Sequence, residues 1–85
     1  VTEGINEYTV IDIETTGIGP KHRIVEVAAV KFSGDKVIDV FDTYVDPQMP
    51  IPSYATAIHG IRNADVADSP SIHEIMPLFC RFIGT

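Results

Sequence analysis

Tyr8-Thr9-Val10-Ile11-Asp12-Ile13-Glu14, running into Thr15-Thr16-Gly17, is a β-rich stretch that stops at a glycine turn. Val10 and Ile11 are adjacent rather than alternating with polar residues, which is the pattern of a strand buried on both faces. Such a strand wants a neighbour on each side. Successive strand side chains point to opposite faces, so Asp12 and Glu14 share one face near the strand's carboxyl end. Two like charges placed that way repel, and a cation between them offsets the cost; hard carboxylate oxygens suit Mg2+ or Mn2+ rather than zinc. The plain alternative is that the two acids only mark a solvent-facing strand surface. Against it stand Ile11 and Ile13, bulky neighbours that are out of place on an exposed edge. The hydroxyls and approachable backbone amides of Thr15, Thr16 and Gly17 also suit a phosphate or sugar.

Outward from this stretch, the glycines and proline between Thr15 and His22 make a loop. Arg23 to Ser33 and Lys36 to Val45 are two further β-rich runs joined by a short glycine-containing link, so they are read as a hairpin. Asp46 to Pro52 holds three of the six prolines and is an extended connector. Ser53 is placed to cap a short helix that ends at Gly60, and Asn63 to cap one further turn over Ala64 to Ala67. The clearest helix comes last. Ser71 and Glu74 form a capping box, and Ile72, Ile75, Met76, Phe79, Phe82 and Ile83 recur at helical spacing. Pro77 deletes one backbone hydrogen bond there and predicts a kink. The expected architecture is α/β in one domain, 1–85. An antiparallel meander with strands at about 7–14, 23–33 and 36–45 is followed by helices at about 53–58 and 71–83. One helix layer leaves the first strand with only part of the cover its residues ask for.

Composition narrows the function classes. Six Lys plus Arg against twelve Asp plus Glu give a net charge of −6, which argues against a broad electrostatic grip on nucleic acid. A bound divalent cation reverses that sign locally where carboxylates converge. With 45% hydrophobic residues and a mean hydropathy of +0.15, the chain has the apolar surface to fold, although a chain this short buries only about 60% of its unfolded surface. Cys80 is the one cysteine, so no intramolecular disulfide can form and a reducing compartment is expected. Nothing reads as a signal peptide, and no apolar run approaches the ~20 residues that span a bilayer. The expectation is a soluble, cytoplasmic protein without a membrane partner.

Val10 to Gly17, Arg23 to Lys31, Pro50-Ile51-Pro52, Ala57-Ile58-His59-Gly60-Ile61 and Asp65-Val66 together resemble the amino-terminal half of the DEDD-type (DnaQ-like) 3′-5′ exonucleases. The branch most similar is that of the proofreading epsilon subunit and PolC-type exonuclease domain of bacterial DNA polymerase III, and the resemblance runs from Tyr8 onward. It implies half of a ribonuclease H-like fold. It also implies that Asp12 and Glu14 are catalytic metal ligands, the first two of four carboxylates holding two divalent metal ions, Mg2+ or Mn2+, for phosphodiester hydrolysis at a single-stranded DNA 3′ end. Thr15, Thr16, Gly17 and His59 would hold the terminal nucleotide, and a DNA polymerase subunit or domain would be the partner. For His59 the alternative is a helix-end histidine satisfying a local carbonyl, and Glu26 is read as structural.

The family's remaining acids and its general-base histidine belong to motifs beyond Thr85, and Asp65, Asp68, His22 and His73 are not in comparable contexts. This polypeptide alone is therefore expected to be inactive. Two alternatives stay open. One is an RNA-trimming exonuclease of the same superfamily. The other is a non-catalytic half-nuclease module that binds a protein partner through its unpaired first strand, whereas a truncated domain would self-associate through that exposed strand.

Overall fold

In the computed structural model, which describes residues 6–84, the three apolar runs become strands β1 (Glu7–Thr15), β2 (Ile24–Ser33) and β3 (Lys36–Tyr44). They pair antiparallel in the order β1-β2-β3. Gly34 and Asp35 make the two-residue turn between β2 and β3, with Gly34 at φ 62°, a left-handed position that glycine takes without strain.

The alternation of the central strand sets the layers. Val25, Val27 and Ala29 of β2 are buried, whereas Glu26, Ala28 and Val30 on the opposite face are only partly covered. The buried face is closed by α1 (Ser53–His59), α2 (Asn63–Val66) and α3 (Ile72–Ile83) in two patches. Val25 packs with Ile51, Ala55, Ile61 and Val66; Val27, Ala29 and Val45 pack with Ile75 and Phe79 of α3. Phe41 meets Phe79 edge-on at 5.8 Å and Phe82 at 5.6 Å. The Phe41 contacts depend on a bulge. Phe32 faces Val37 but Lys31 faces Asp39, so Ile38 is an extra residue that shifts the rest of β3 by one and turns Phe41 toward the helices.

Several expectations need correcting. β1 is not buried on both faces: Val10, Ile11 and Ile13 are 51%, 47% and 45% exposed. The cause is topological, since among the described residues β1 has one neighbouring strand and α3 lies over β2 and β3. Ser53 is the first helical residue rather than the cap. Pro52, extended at φ −61° and ψ 146°, takes the cap position, and its carbonyl accepts from Ala55 and Thr56. Asn63 likewise lies inside its helix, where its Oδ1 accepts from the Ile51 N–H at 2.8 Å. Arg62 occupies the cap, with its N–H donating to Asp65 Oδ2. That bond, with the Arg62 guanidinium at 3.5 Å, holds the Asp65 carboxyl below its ordinary value. In α3 the Ser71–Glu74 capping box forms as expected. Pro77 lies exposed inside α3, and the helix continues past it to Ile83. Met76 is 42% exposed rather than in the core, because one sheet face accommodates only the narrower stripe through Ile75 and Phe79. No helix among the described residues is long and apolar enough to cross a membrane.

Candidate active site at the end of the first strand

Strand register decides which acids meet. Asp12 lies opposite Ala28, which lies opposite Asp42; in the next row Glu14 lies opposite Glu26, which lies opposite Tyr44. All four carboxylates therefore rise from the open sheet face, around the small Ala28. Among the described residues no Lys or Arg reaches them, the ion pair present being Arg62–Asp65. Negative charge gathered without a counter-charge, on hard oxygen donors, is what a divalent cation fits. The set is partial, because no three His, Cys, Asp or Glu side chains among the described residues converge closely enough to hold a metal.

Crowding shows in Glu26. Its carboxyl is pushed up from an ordinary 4.5 to about 7, first by a hydrogen bond with Asp42, then by burial, then by the charges of Asp42, Glu14 and Asp12. The folded state thus holds this proton more tightly than the unfolded chain does. The Glu26 contribution to stability is greatest below about pH 4.5 and falls as the pH rises toward about 7. Glu26→Gln keeps a donor to Asp42 and cannot ionise. We expect its urea midpoint to exceed wild type at pH 8 and to lose that advantage at pH 4.5; a constant difference across this range would contradict the assignment.

The turn after β1 is bound from several directions. Thr15 Oγ1 donates to the Gly17 carbonyl at 2.7 Å and accepts from the Gly17 N–H at 3.2 Å. Thr16 is fully buried. Its N–H donates to the Arg23 carbonyl at 2.8 Å, and its hydroxyl accepts from the Arg23 N–H at 3.0 Å and contacts His22 Nδ1 at 2.9 Å. The Thr16 side chain, which the sequence reading gives to the nucleotide, thus points into the protein, and the half-buried Thr15 and Gly17 form the accessible part of the turn. His59 reaches the same place from the end of α1. Its Nδ1 accepts from the Ile61 N–H at 3.0 Å, which fixes the proton on Nε2, and Nε2–H donates to the Thr15 carbonyl at 3.0 Å. The structure thus brings Thr15, Thr16, Gly17 and His59 together at the end of the strand that carries Asp12 and Glu14.

Sequence reasoning missed Asp42 as a neighbour of the acids, and the bulge at Ile38 is why: without it Asp42 would face the helices. His73 is exposed and lines a cavity of about 510 Å3 with His22, Arg23, Asp46, Gln48 and Ser71, away from Asp12 and Glu14.

Comparison with known proteins places this arrangement. The family model described as Exonuclease (RNase T) matches residues 9–85. A DNA polymerase III PolC-type protein of Caldanaerobacter subterraneus is 44% identical over 77 residues, covering 89% of this chain and 6% of its own length. The DNA polymerase III subunit epsilon of Aquifex aeolicus is 36% identical, covering 91% of this chain and 39% of its own. The chain therefore spans well under half the length of these curated relatives. Among solved structures, Exonuclease X in complex with 5′ overhanging duplex DNA superposes with a TM-score of 0.74 at 38% identity, covering 84% of this chain and 42% of that one. The nuclease domain of 3′hExo, a DEDDh family member bound to rAMP, gives 0.78 at 21% identity over 91% and 43%, a likeness of fold alone. The meander with its helices is thus part of a ribonuclease H-like exonuclease fold. By the match over residues 9–85, the chain belongs to the RNase T exonuclease family, and its relatives include DNA polymerase III epsilon and PolC-type proteins.

Proposed function

We propose that the chain is the amino-terminal part of a 3′-5′ exonuclease domain that removes nucleotides from DNA 3′ ends in the proofreading manner, beside a DNA polymerase subunit or domain. The observation that carries this reading is the placement of Asp12 and Glu14 on one open sheet face, directly before the Thr15-Thr16-Gly17 turn. Asp12 and Glu14 hold the metal side of the site, and Thr15 with the Gly17 backbone seats the terminal nucleotide. Thr16 anchors the turn from inside, and His59 fixes the Thr15 carbonyl. Two divalent ions, Mg2+ or Mn2+, would supply charge neutralisation at the scissile phosphate and acidify the attacking water. DNA is favoured over RNA because Exonuclease X, at 38% identity, is described with duplex DNA, whereas the likeness to the rAMP-bound domain is one of fold.

Two carboxylates are a thin hold on Mg2+, which keeps several waters and relies on substrate phosphates to complete its shell. The 85-residue segment is inactive on its own in this reading, and the rest of the domain pairs with the open edge of β1 and supplies the missing ligands. The test compares the complete chain with the segment on single-stranded DNA and RNA in Mg2+ or Mn2+. The complete chain should release mononucleotides from DNA 3′ ends, lose this in EDTA and act less well on RNA. Metal-dependent release by the segment, abolished by Asp12→Ala, would overturn the claim that its site is incomplete.

A further inference from the structure

His22 lies outside the stretches that carry the family resemblance, yet its ring supports the turn at two points. The buried Thr16 hydroxyl has one proton and two acceptors in reach, His22 Nδ1 at 2.9 Å and Met49 Sδ at 3.6 Å. The hydroxyl and His22 Nδ1 share one hydrogen bond in either tautomer: Nδ1 accepts the hydroxyl proton when the ring N–H is on Nε2, and donates when it is on Nδ1, the hydroxyl proton then going to Met49. The same ring lies against Gly17. A Cβ added there would stand 2.7 Å from His22 Cε1, 2.8 Å from Nδ1 and 2.5 Å from Tyr54 Oη, so the glycine admits close packing that a side chain would prevent. The segment bearing His22 is itself tied down, by its own N–H to the Gly19 carbonyl at 3.2 Å and by Arg23 Nη1 to the Pro47 carbonyl at 3.1 Å.

We propose that His22 is a positioning residue for the Thr15-Thr16-Gly17 turn. By bonding the Thr16 hydroxyl and covering Gly17, it sets where the Thr15 hydroxyl and the Gly17 backbone meet the terminal nucleotide. The proposal rests on reading that turn as the nucleotide's seat. Without the imidazole, the Thr16 hydroxyl keeps Met49 as its acceptor and the space beside Gly17 opens, while the Thr16 N–H bond to the Arg23 carbonyl and the Arg23 N–H bond to the Thr16 hydroxyl remain. The fold persists and the seat loosens. Asp12 and Glu14 are untouched, so the loss falls on nucleotide binding rather than on the chemical step.

The test uses the complete chain, with His22→Ala, His22→Asn and Asp12→Ala beside wild type. The readouts are steady-state degradation of single-stranded DNA in saturating Mg2+, inhibition by thymidine monophosphate, and thermal melting. Losing one hydrogen bond and its packing should raise KM and the inhibition constant about 5–10-fold in His22→Ala, with kcat within about twofold of wild type. Asparagine offers an amide oxygen near the place of Nδ1, so His22→Asn should return both constants toward wild type. Unchanged constants in His22→Ala would overturn the proposal. So would a loss that tracks the melting temperature, or a well-folded His22→Asn that rescues nothing. A wild-type chain that leaves DNA intact, or an Asp12→Ala variant as active as wild type, would instead overturn the function on which the proposal rests.

Discussion

Asp12→Ala in the complete chain should reduce metal-dependent nucleotide release to background while leaving the melting temperature unchanged or slightly raised. The two halves of this expectation share one cause. Asp12 is exposed on the open sheet face and no cation among the described residues pairs with it, so it contributes repulsion rather than bonding to the fold. Removing it deletes a proposed metal ligand and relieves crowding at the same time. The Glu26 carboxyl, raised in part by Asp12, should also titrate at a lower pH in the variant. Nucleotide release and thermal melting on the same preparations check this. Activity surviving in Asp12→Ala, or falling only together with stability, would remove Asp12 from the chemistry.

The largest effect on stability is expected from Phe79→Ala. Phe79 is 8% exposed, packs in the patch with Val27, Ala29, Val45 and Ile75, and meets Phe41 edge-on. Truncating a buried phenylalanine costs about 3–5 kcal/mol. That is a large part of the roughly 5–15 kcal/mol that holds a typical domain folded. Met76→Ala, one turn earlier on the exposed side of α3, should change stability by less than about 0.5 kcal/mol. Urea midpoints of both variants distinguish the buried stripe from the exposed side; equal losses would mean that the helix packs in a different rotation.

What the sequence made legible is what depends on near neighbours in the chain. The β-rich run of residues 23–33, the turn chemistry of Gly34 and the Ser71–Glu74 box are local, and each was readable. The candidate site was readable for the same reason, since Asp12, Glu14 and the following turn form one continuous stretch. What stayed hidden depends on a single residue or on distant partners. One extra residue at Ile38 decides that Asp42 joins Glu26 and that Phe41 joins the core, and no pattern in β3 announces it. Thr16 looks like a ligand-facing hydroxyl until Arg23 and His22 fold back over it. Ser53 has the better intrinsic capping chemistry, yet the rigid extended Pro52 ends the connector one residue sooner and leaves Ser53 helical.

The open edge of β1 has a consequence for the chain as it is made. Every strand pair in the sheet joins neighbours in sequence, so the meander can close early on the ribosome. While β1 waits uncovered, Val10, Ile11 and Ile13 line an unpaired edge of the kind that recruits other nascent chains. Asp12 and Glu14 interrupt that apolar run, and a second copy pairing there would bring its own acids against them. The two acids proposed to hold the metal thus also act as gatekeepers against aggregation during synthesis of the chain.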